Sequence, residues 1–357
     1  MPEPRFYLRR LALAHGAHSY AQEEMADRMR RRLASVPDAE ATSQVVGFVY
    51  GHSGIQRRFF ELPLQEIEKR GDWYRMTNQA SHAMATRALG ALLGDELPAS
   101  ACDALIVVSS SYAGFPSLSR RLQEQFSFPV ETQCWDLAAL GCAGPTHGIA
   151  MAQALLEAGA CKNACVVCVD AFGTHGEARR HKAPPTMAML VAHCLASDGA
   201  AAFVVGRDPG PRPLLSYRSC KLVSRLWPGS LDQNDFTADQ DNQPLISVGK
   251  EIRTRIGDEL AKVLDDDSLR EPLFVHPGGA ALMRLLRERY PPLAATADLS
   301  MSVLADHGNL GAPSVLWVLD RALSASFAVA PRFRLVALGP GIVTTLLLVD
   351  GVERAAP

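Results

Sequence analysis

The sequence predicts an α/β protein made of two halves alike in kind, and three observations carry that expectation. Apolar strand-like runs alternate along the chain with amphipathic helical stretches, the pattern of α/β architecture. A Pro- and Gly-dense segment, Pro209–Pro213 (PGPRP), separates two stretches built from the same kinds of element. At 357 residues the chain is too long for one small core and suits one large or two medium-sized domains. The expected division is an N-terminal half over 1–208 and a C-terminal half over 209–357.

The elements follow in order. Ala104–Ser109 (ALIVVS) is a short apolar run flanked by polar residues, long enough for a buried strand. The tight sequence Gly141-Cys142-Ala143-Gly144-Pro145 leads into a helix over Gly148–Ala158, rich in Ala, Leu and Met and stopped by Gly159. Ala164–Val169 (ACVVCV) and Asp198–Val205 (DGAAAFVV) read as further strands. Beyond the linker, Leu273–Val275 is a brief apolar run ending at His276-Pro277-Gly278-Gly279, followed by a helix over Ala280–Arg289. A polar, glycine-containing loop over Asp306–Pro313 precedes a helix over Ser314–Ala325. Arg334–Leu338 and Ile342–Val349 then pair around Gly339-Pro340-Gly341. No repeat with a period of roughly 20–50 residues marks a solenoid.

Composition narrows the function. Apolar residues make up 48% and charged residues 21%, the balance of a chain that folds. Lys plus Arg number 36 against 38 Asp plus Glu, so a net charge of −2 gives no general attraction to nucleic acid or to an anionic membrane. An anionic substrate would need a local basic patch. The opening MPEPRFYLRRLALAHG holds only a broken apolar run, short of a secretory core and of the roughly 18 apolar residues of a membrane span, so a cytoplasmic protein is expected. Eight cysteines without a secretion signal read as reduced thiols. Cys165 and Cys168 have the spacing of a metal or redox pair, but they lie in an apolar run with no histidine or second pair beside it, so a buried strand is expected and no metal site.

Three residues invite a chemical reading. Cys142 sits between glycines where a strand turns into a helix, a geometry that pushes one side chain into a cleft and lets the helix N-terminus favour a thiolate. A small residue in a packing turn fits the same position. His276 ends an apolar strand and precedes Pro-Gly-Gly, where chemistry collects in α/β folds; a core or capping histidine is the plainer alternative. Asn309, between Gly308 and Leu310-Gly311, equally suits an Asx turn.

Taken together, Gly141-Cys142-Ala143-Gly144, Asp198-Gly199-Ala200-Ala201, His276-Pro277-Gly278-Gly279, Gly308-Asn309 with Ser314-Val315-Leu316, and Gly339-Pro340-Gly341 follow the order and approximate spacing of type III polyketide synthases. The sequence resembles the chalcone and stilbene synthase group of the thiolase superfamily from about Ser43 to Val349, with the Gln22-Glu23-Glu24 stretch also similar. The His-Pro-Gly-Gly form favours this group over the ketoacyl synthase III enzymes. The resemblance implies a thiolase fold of five αβαβα layers, a homodimer, and a Cys-His-Asn site at the end of a tunnel for the pantetheine arm. It implies that Cys142 accepts an acyl group from a coenzyme A thioester, that His276 holds the thiolate as an ion pair, and that His276 and Asn309 donate to the thioester oxygen as a malonyl unit loses carbon dioxide. No permanently bound cofactor is implied.

The departures concern the space around this triad. Where the family reads Ala-Leu-Phe-Gly-Asp-Gly, this chain has Cys194-Leu195-Ala196-Ser197-Asp198-Gly199, so Ala196 replaces a gatekeeping Phe and an opened tunnel is expected. A second gatekeeper maps poorly, near Asn242. Gly51-His52-Ser53-Gly54-Ile55-Gln56 stands where phosphate-binding basic residues would be, leaving Arg57 and Arg58 either to meet the coenzyme A phosphates or to form a solvated edge. Phe115 matches a position that reaches across the family's dimer interface into the partner's cavity; an ordinary interface residue is the alternative. Ser111 and Gly311 are further substrate-facing positions. These departures keep two other readings open: a single transfer or condensation by a ketosynthase III-like enzyme, with an acyl carrier protein as donor, and a catalytically silent thiolase-fold partner.

Overall fold

A strand buried on both faces must be apolar at every position, and its odd and even residues then feed two different cores. The computed structural model shows this arrangement. It describes residues 5–210, 213–249, 251–264, 270–325, 327, 329, 331–339 and 343–354. In chain order the strands are β1 (Phe6–His15), β2 (His18–Ala21), β3 (Arg57–Phe60), β4 (Ala104–Ser109), β5 (Gln133–Ala138), β6 (Asn163–Ala171), β7 (Asp198–Gly206) and β8 (Pro213–Tyr217). They continue with β9 (Ser219–Leu226), β10 (Asn234–Ala238), β11 (Pro244–Val248), β12 (Leu273–Val275), β13 (Arg332–Gly339), β14 (Val343–Asp350) and β15 (Glu353–Arg354).

Seven strands form one sheet in the order β15-β8-β1-β7-β6-β4-β5, and four form another in the order β12-β13-β14-β9. β4 runs parallel to β5 and β6, whereas β7 is antiparallel to β6 and β1. The pairs β2-β3 and β10-β11 stand apart. In β4, Ala104, Ile106 and Val108 join the core between the two sheets, while Leu105 and Val107 join the core on the other face. β6 divides likewise, with Val166 and Cys168 on the inner face and Cys165 and Val167 on the outer. The Cys165–Cys168 spacing therefore sends its two thiols to opposite sides of the sheet, where they cannot share a metal ion. In the second sheet Phe274, Leu335 and Leu347 face inward and Leu273, Val336 and Leu346 outward.

Helices Gly144–Glu157 and Ser314–Ser324 lie between the sheets, each packed against strands of both. Helix Trp73–Leu92 covers the outer face of the first sheet, and helices Glu251–Ala261 and Ala280–Arg289 cover that of the second. The result is the expected αβαβα layering of a thiolase fold. No helix among the described residues is long and apolar enough to cross a membrane.

Every strand expected between Ala104 and Val275 is present at or near its expected bounds, as are the helices at Ala280 and Ser314. The helix expected to start at Gly148 begins at Gly144, directly behind Cys142. The division at 209 does not coincide with the sheets, because β8 and β15 pair onto the N-terminal sheet and the chain crosses over between Tyr217 and Ser219. Residues 211–212 of the linker, and Pro340, Gly341 and Ile342 of the expected hairpin turn, lie outside the described residues.

Candidate active site

The turn Gly141–Ala143 leads straight into helix Gly144–Glu157, which packs against β4 and β6 so closely that glycine is required at its first position. A Cβ on Gly144 would lie 2.2 Å from Val108 Cγ1. This contact fixes the helix start and holds Cys142 in the turn before it, with part of its surface accessible. The turn also rests on β13, since a Cβ on Gly339 would meet the Leu140 carbonyl oxygen at 2.7 Å and Ala143 Cβ at 2.9 Å.

His276 leaves β12 beside the same end of β13. Its N–H donates to the Val336 carbonyl at 2.7 Å, and its own carbonyl accepts from Gly278 N–H at 2.8 Å, so Pro277 forms a tight turn that hands the chain to helix Ala280–Arg289. The imidazole is 2% exposed and its Nδ1 has no hydrogen-bond partner among the described residues.

Asn309 follows Gly308 at the end of helix Ala294–His307. Its backbone is sewn to the segment after helix Met187–Leu195: Asn309 N–H donates to the Leu195 carbonyl at 2.8 Å, and Ser197 N–H donates to the Asn309 carbonyl at 2.9 Å. Its side-chain Oδ1 accepts from Gly311 N–H at 3.0 Å and from Ser314 Oγ at 3.4 Å. Holding the oxygen end leaves Nδ2 as the end able to donate. Leu195 also lies 3.5 Å from a Cβ position on Gly279, so the Asn309 loop and the His276 turn share a neighbour. The three residues thus come from three different turns, those of Cys142 and His276 both against β13 and those of His276 and Asn309 both against Leu195.

Burial sets the protonation states. It pushes the Cys142 thiol well above the usual range, reinforced by the negative charge of Asp170. It pushes His276 down to about 3. Both directions act against the thiolate–imidazolium pair expected from the sequence.

Asp170, which the sequence reading passed over, lies at the end of β6 and is fully buried. Its Oδ1 accepts from Ser110 and Ser111 N–H at 2.8 and 3.1 Å, and its Oδ2 accepts from Ala312 N–H at 2.8 Å. Burial raises it to about 7 despite these three donors. The available signal was an acidic residue inside an apolar run, which is costly unless fully hydrogen-bonded.

The remaining expected residues fall into two groups. Gly311 sits against Asp170, where a Cβ would lie 2.6 Å from Oδ2, and its φ of +72° favours glycine. Ser111 is buried, its hydroxyl 2.8 Å from Ser81 Oγ and accepting from Ala171 N–H at 2.9 Å, so it braces the strand ends. Phe115 is 96% exposed next to Pro116. Arg57 is exposed, but Arg58 requires correction: it is completely buried, bonds the His193 and Ala196 carbonyls, and places its guanidinium over Tyr50 and Phe60. Neither a phosphate contact nor a solvated edge fits that geometry.

Ala196 likewise does not open a space. It bridges to Asn309, is 4% exposed, and packs with Ala192 and Ile246 while Phe172 and Phe236 close over the cluster, their rings 4.6 Å apart. Phe236 and Ile246, which pack around it, belong to the β10-β11 pair. Asn242 is only the tip of that hairpin, its carbonyl accepting from Trp73 Nε1.

A family model described as FAE1/type III polyketide synthase-like protein matches residues 42–265. The chain is 26% identical over 356 residues to 1,3,6,8-tetrahydroxynaphthalene synthase of Streptomyces peucetius subsp. caesius, covering 93% of this chain and 89% of that one. It is 28% identical over 283 residues to type III polyketide synthase 10 of rice, Oryza sativa subsp. japonica, covering 71% and 66%. In fold it is similar to CsyB, solved in complex with CoA-SH, at a TM-score of 0.79 and 17% identity over 97% of this chain and 100% of that one.

Proposed function

Because the chain belongs to the FAE1/type III polyketide synthase-like family, we propose that it loads an acyl group from a thioester onto Cys142 and extends it by decarboxylative Claisen condensation. The observation that carries this reading is the orientation of Asn309, whose amide oxygen is held by Gly311 and Ser314 so that its Nδ2 is the donor offered toward a substrate.

In the first half-reaction the Cys142 sulfur attacks the thioester carbonyl. As the bond forms its proton passes to the neutral His276 imidazole, and the leaving thiolate takes that proton as the acyl-enzyme forms. In the second, a malonyl thioester loses carbon dioxide and its carbonyl oxygen becomes an enolate oxygen. His276 and Asn309 Nδ2 donate to it, each such donor worth about 3–4 kcal/mol of barrier in a preorganised dry site. The enolate carbon then attacks the acyl-Cys142 carbonyl and releases the Cys142 sulfur as a thiolate, which takes up a proton from solvent to restore the thiol. Incubation with an acyl-CoA and malonyl-CoA tests this: multiply extended products with carbon dioxide release are expected, and loading without decarboxylation would overturn it.

Burial of Arg58 favours a second reading for the donor, since it leaves Arg57 without that neighbour at a coenzyme A phosphate. An acyl carrier protein thioester loading Cys142 faster than the matching acyl-CoA would select it. For assembly, the edge strand β5 with exposed Trp135, and Phe115 nearby in sequence to its supporting helix Leu118–Gln125, support a homodimer through this face. Sedimentation of wild-type protein against Trp135→Glu checks it, with dissociation of the variant expected.

A further inference from the structure

Resting on the reading of Cys142 and Asn309 given above, we propose that Asp170 is a positioning residue for condensation, clamping the Cys142 turn and the Asn309 loop onto one buried carboxylate. The two sides of the clamp use different oxygens. Oδ1 holds the backbone of Ser110 and Ser111, and Ser110 Oγ accepts from Gly141 N–H at 2.7 Å, so this side reaches the residue next to Cys142 in two bonds. Oδ2 holds Ala312 N–H, while Gly311 N–H one residue earlier fixes Asn309 Oδ1. Gly311 packs directly against this side of the clamp, since a side chain there would strike Oδ2 and the Phe172 ring, 2.6 and 2.7 Å from a Cβ.

The chemistry of this carboxylate suits joining better than reacting. Three backbone donors hold it, the Ser111 side chain favours its charged form as well, and it is sealed from solvent. A carboxylate can accept on both oxygens, whereas an amide of the same shape accepts on one and donates from the other. In Asp170→Asn the carbonyl oxygen satisfies the two donors at Ser110 and Ser111, and the NH2 group then faces the Ala312 N–H, donor against donor. The Cys142 side of the clamp survives and the Asn309 side is released.

The test measures two steps on the same protein: formation of acyl-Cys142 from an acyl-CoA, read by intact mass, and product formation with malonyl-CoA. For Asp170→Asn, acylation should stay within about threefold of wild type while condensation falls on the order of tenfold to a hundredfold, the scale of an ångström-level misplacement. Ser110→Ala removes the acceptor for Gly141 and should give the opposite split, slower acylation with condensation of a preloaded acyl group less affected; it also carries the test if Asp170→Asn fails to fold. Both steps falling in proportion to the folded fraction in both variants, or condensation at the wild-type rate in Asp170→Asn, overturns the clamp. Absence of acyl-Cys142 in the wild-type protein instead overturns the functional reading on which the clamp rests.

Discussion

At Cys142 and His276 burial favours the neutral thiol and the neutral imidazole, so a Cys142 nucleophile of the kind proposed would have to give up its proton as it reacts. Arg58 shows the reverse economy, a charge kept inside because it bonds two carbonyls and lies over two rings. Arg58→Ala should therefore destabilise the fold by about 1–3 kcal/mol for each carbonyl left unsatisfied, with the KM for acyl-CoA little changed. Urea unfolding beside steady-state kinetics checks this, and a raised KM at unchanged stability would return Arg58 to phosphate binding. The roles expected of Cys142, His276 and Asn309 came from the resemblance, whereas the turns that carry these side chains were legible from the glycines beside them. Arg58 was not, since nothing local distinguishes a buried arginine from a surface one. Asp170 was not because its partners, Ser110, Ser111 and Ala312, are far away in sequence.

Among elements, helix Gly144–Glu157 has the tightest seat, with Gly144 against Val108. Gly144→Ala should cost about 1–3 kcal/mol of stability, the usual penalty for overpacking a core, and Val108→Ala in the same protein should recover part of it. Denaturant midpoints of the two single variants and the double variant measure the coupling; strict additivity would contradict the contact. β4, β6 and β7 were legible as strands because both faces are buried, which makes each an unbroken apolar run. β1 was not, because Arg9 and Arg10 interrupt it where its pairing register shifts. The β10-β11 pair is short and polar at its turn, and its closing role over Ala196 depends on Phe236 meeting Phe172, a contact no local pattern announces.

Over the whole molecule, buried titratable groups tie stability to pH in two opposing ways. His276 is pushed down to about 3 and His181 and His307 to about 4, with His193 also well below its ordinary value, all by burial first. These side chains stay neutral when folded but take up protons when unfolded below about 6.5, so their effect is to lose stability as pH falls through that value. Asp170 and Asp198, raised by burial to about 7 and about 6, release their protons at a higher pH when folded than when unfolded and act the other way, losing stability as pH rises from about 4. Four histidines against two carboxyls give a net loss on acidification, so Tm should be lower at pH 5 than at pH 7; calorimetry finding it equal or higher would contradict the balance. The layer order itself was legible only through the resemblance, because alternation of strands and helices specifies α/β architecture without saying which helices lie between the sheets.

The account turns on three residues with different tasks, and mass spectrometry of the acyl-enzyme beside product formation in single variants tests it most directly. Cys142→Ala should carry no acyl group. His276→Ala should impair both loading and condensation. Asn309→Ala should load normally yet condense about a hundredfold more slowly, the loss expected on removing one oxyanion donor. A Cys142→Ala protein that still becomes acylated, or an Asn309→Ala protein that condenses at the wild-type rate, would contradict the account.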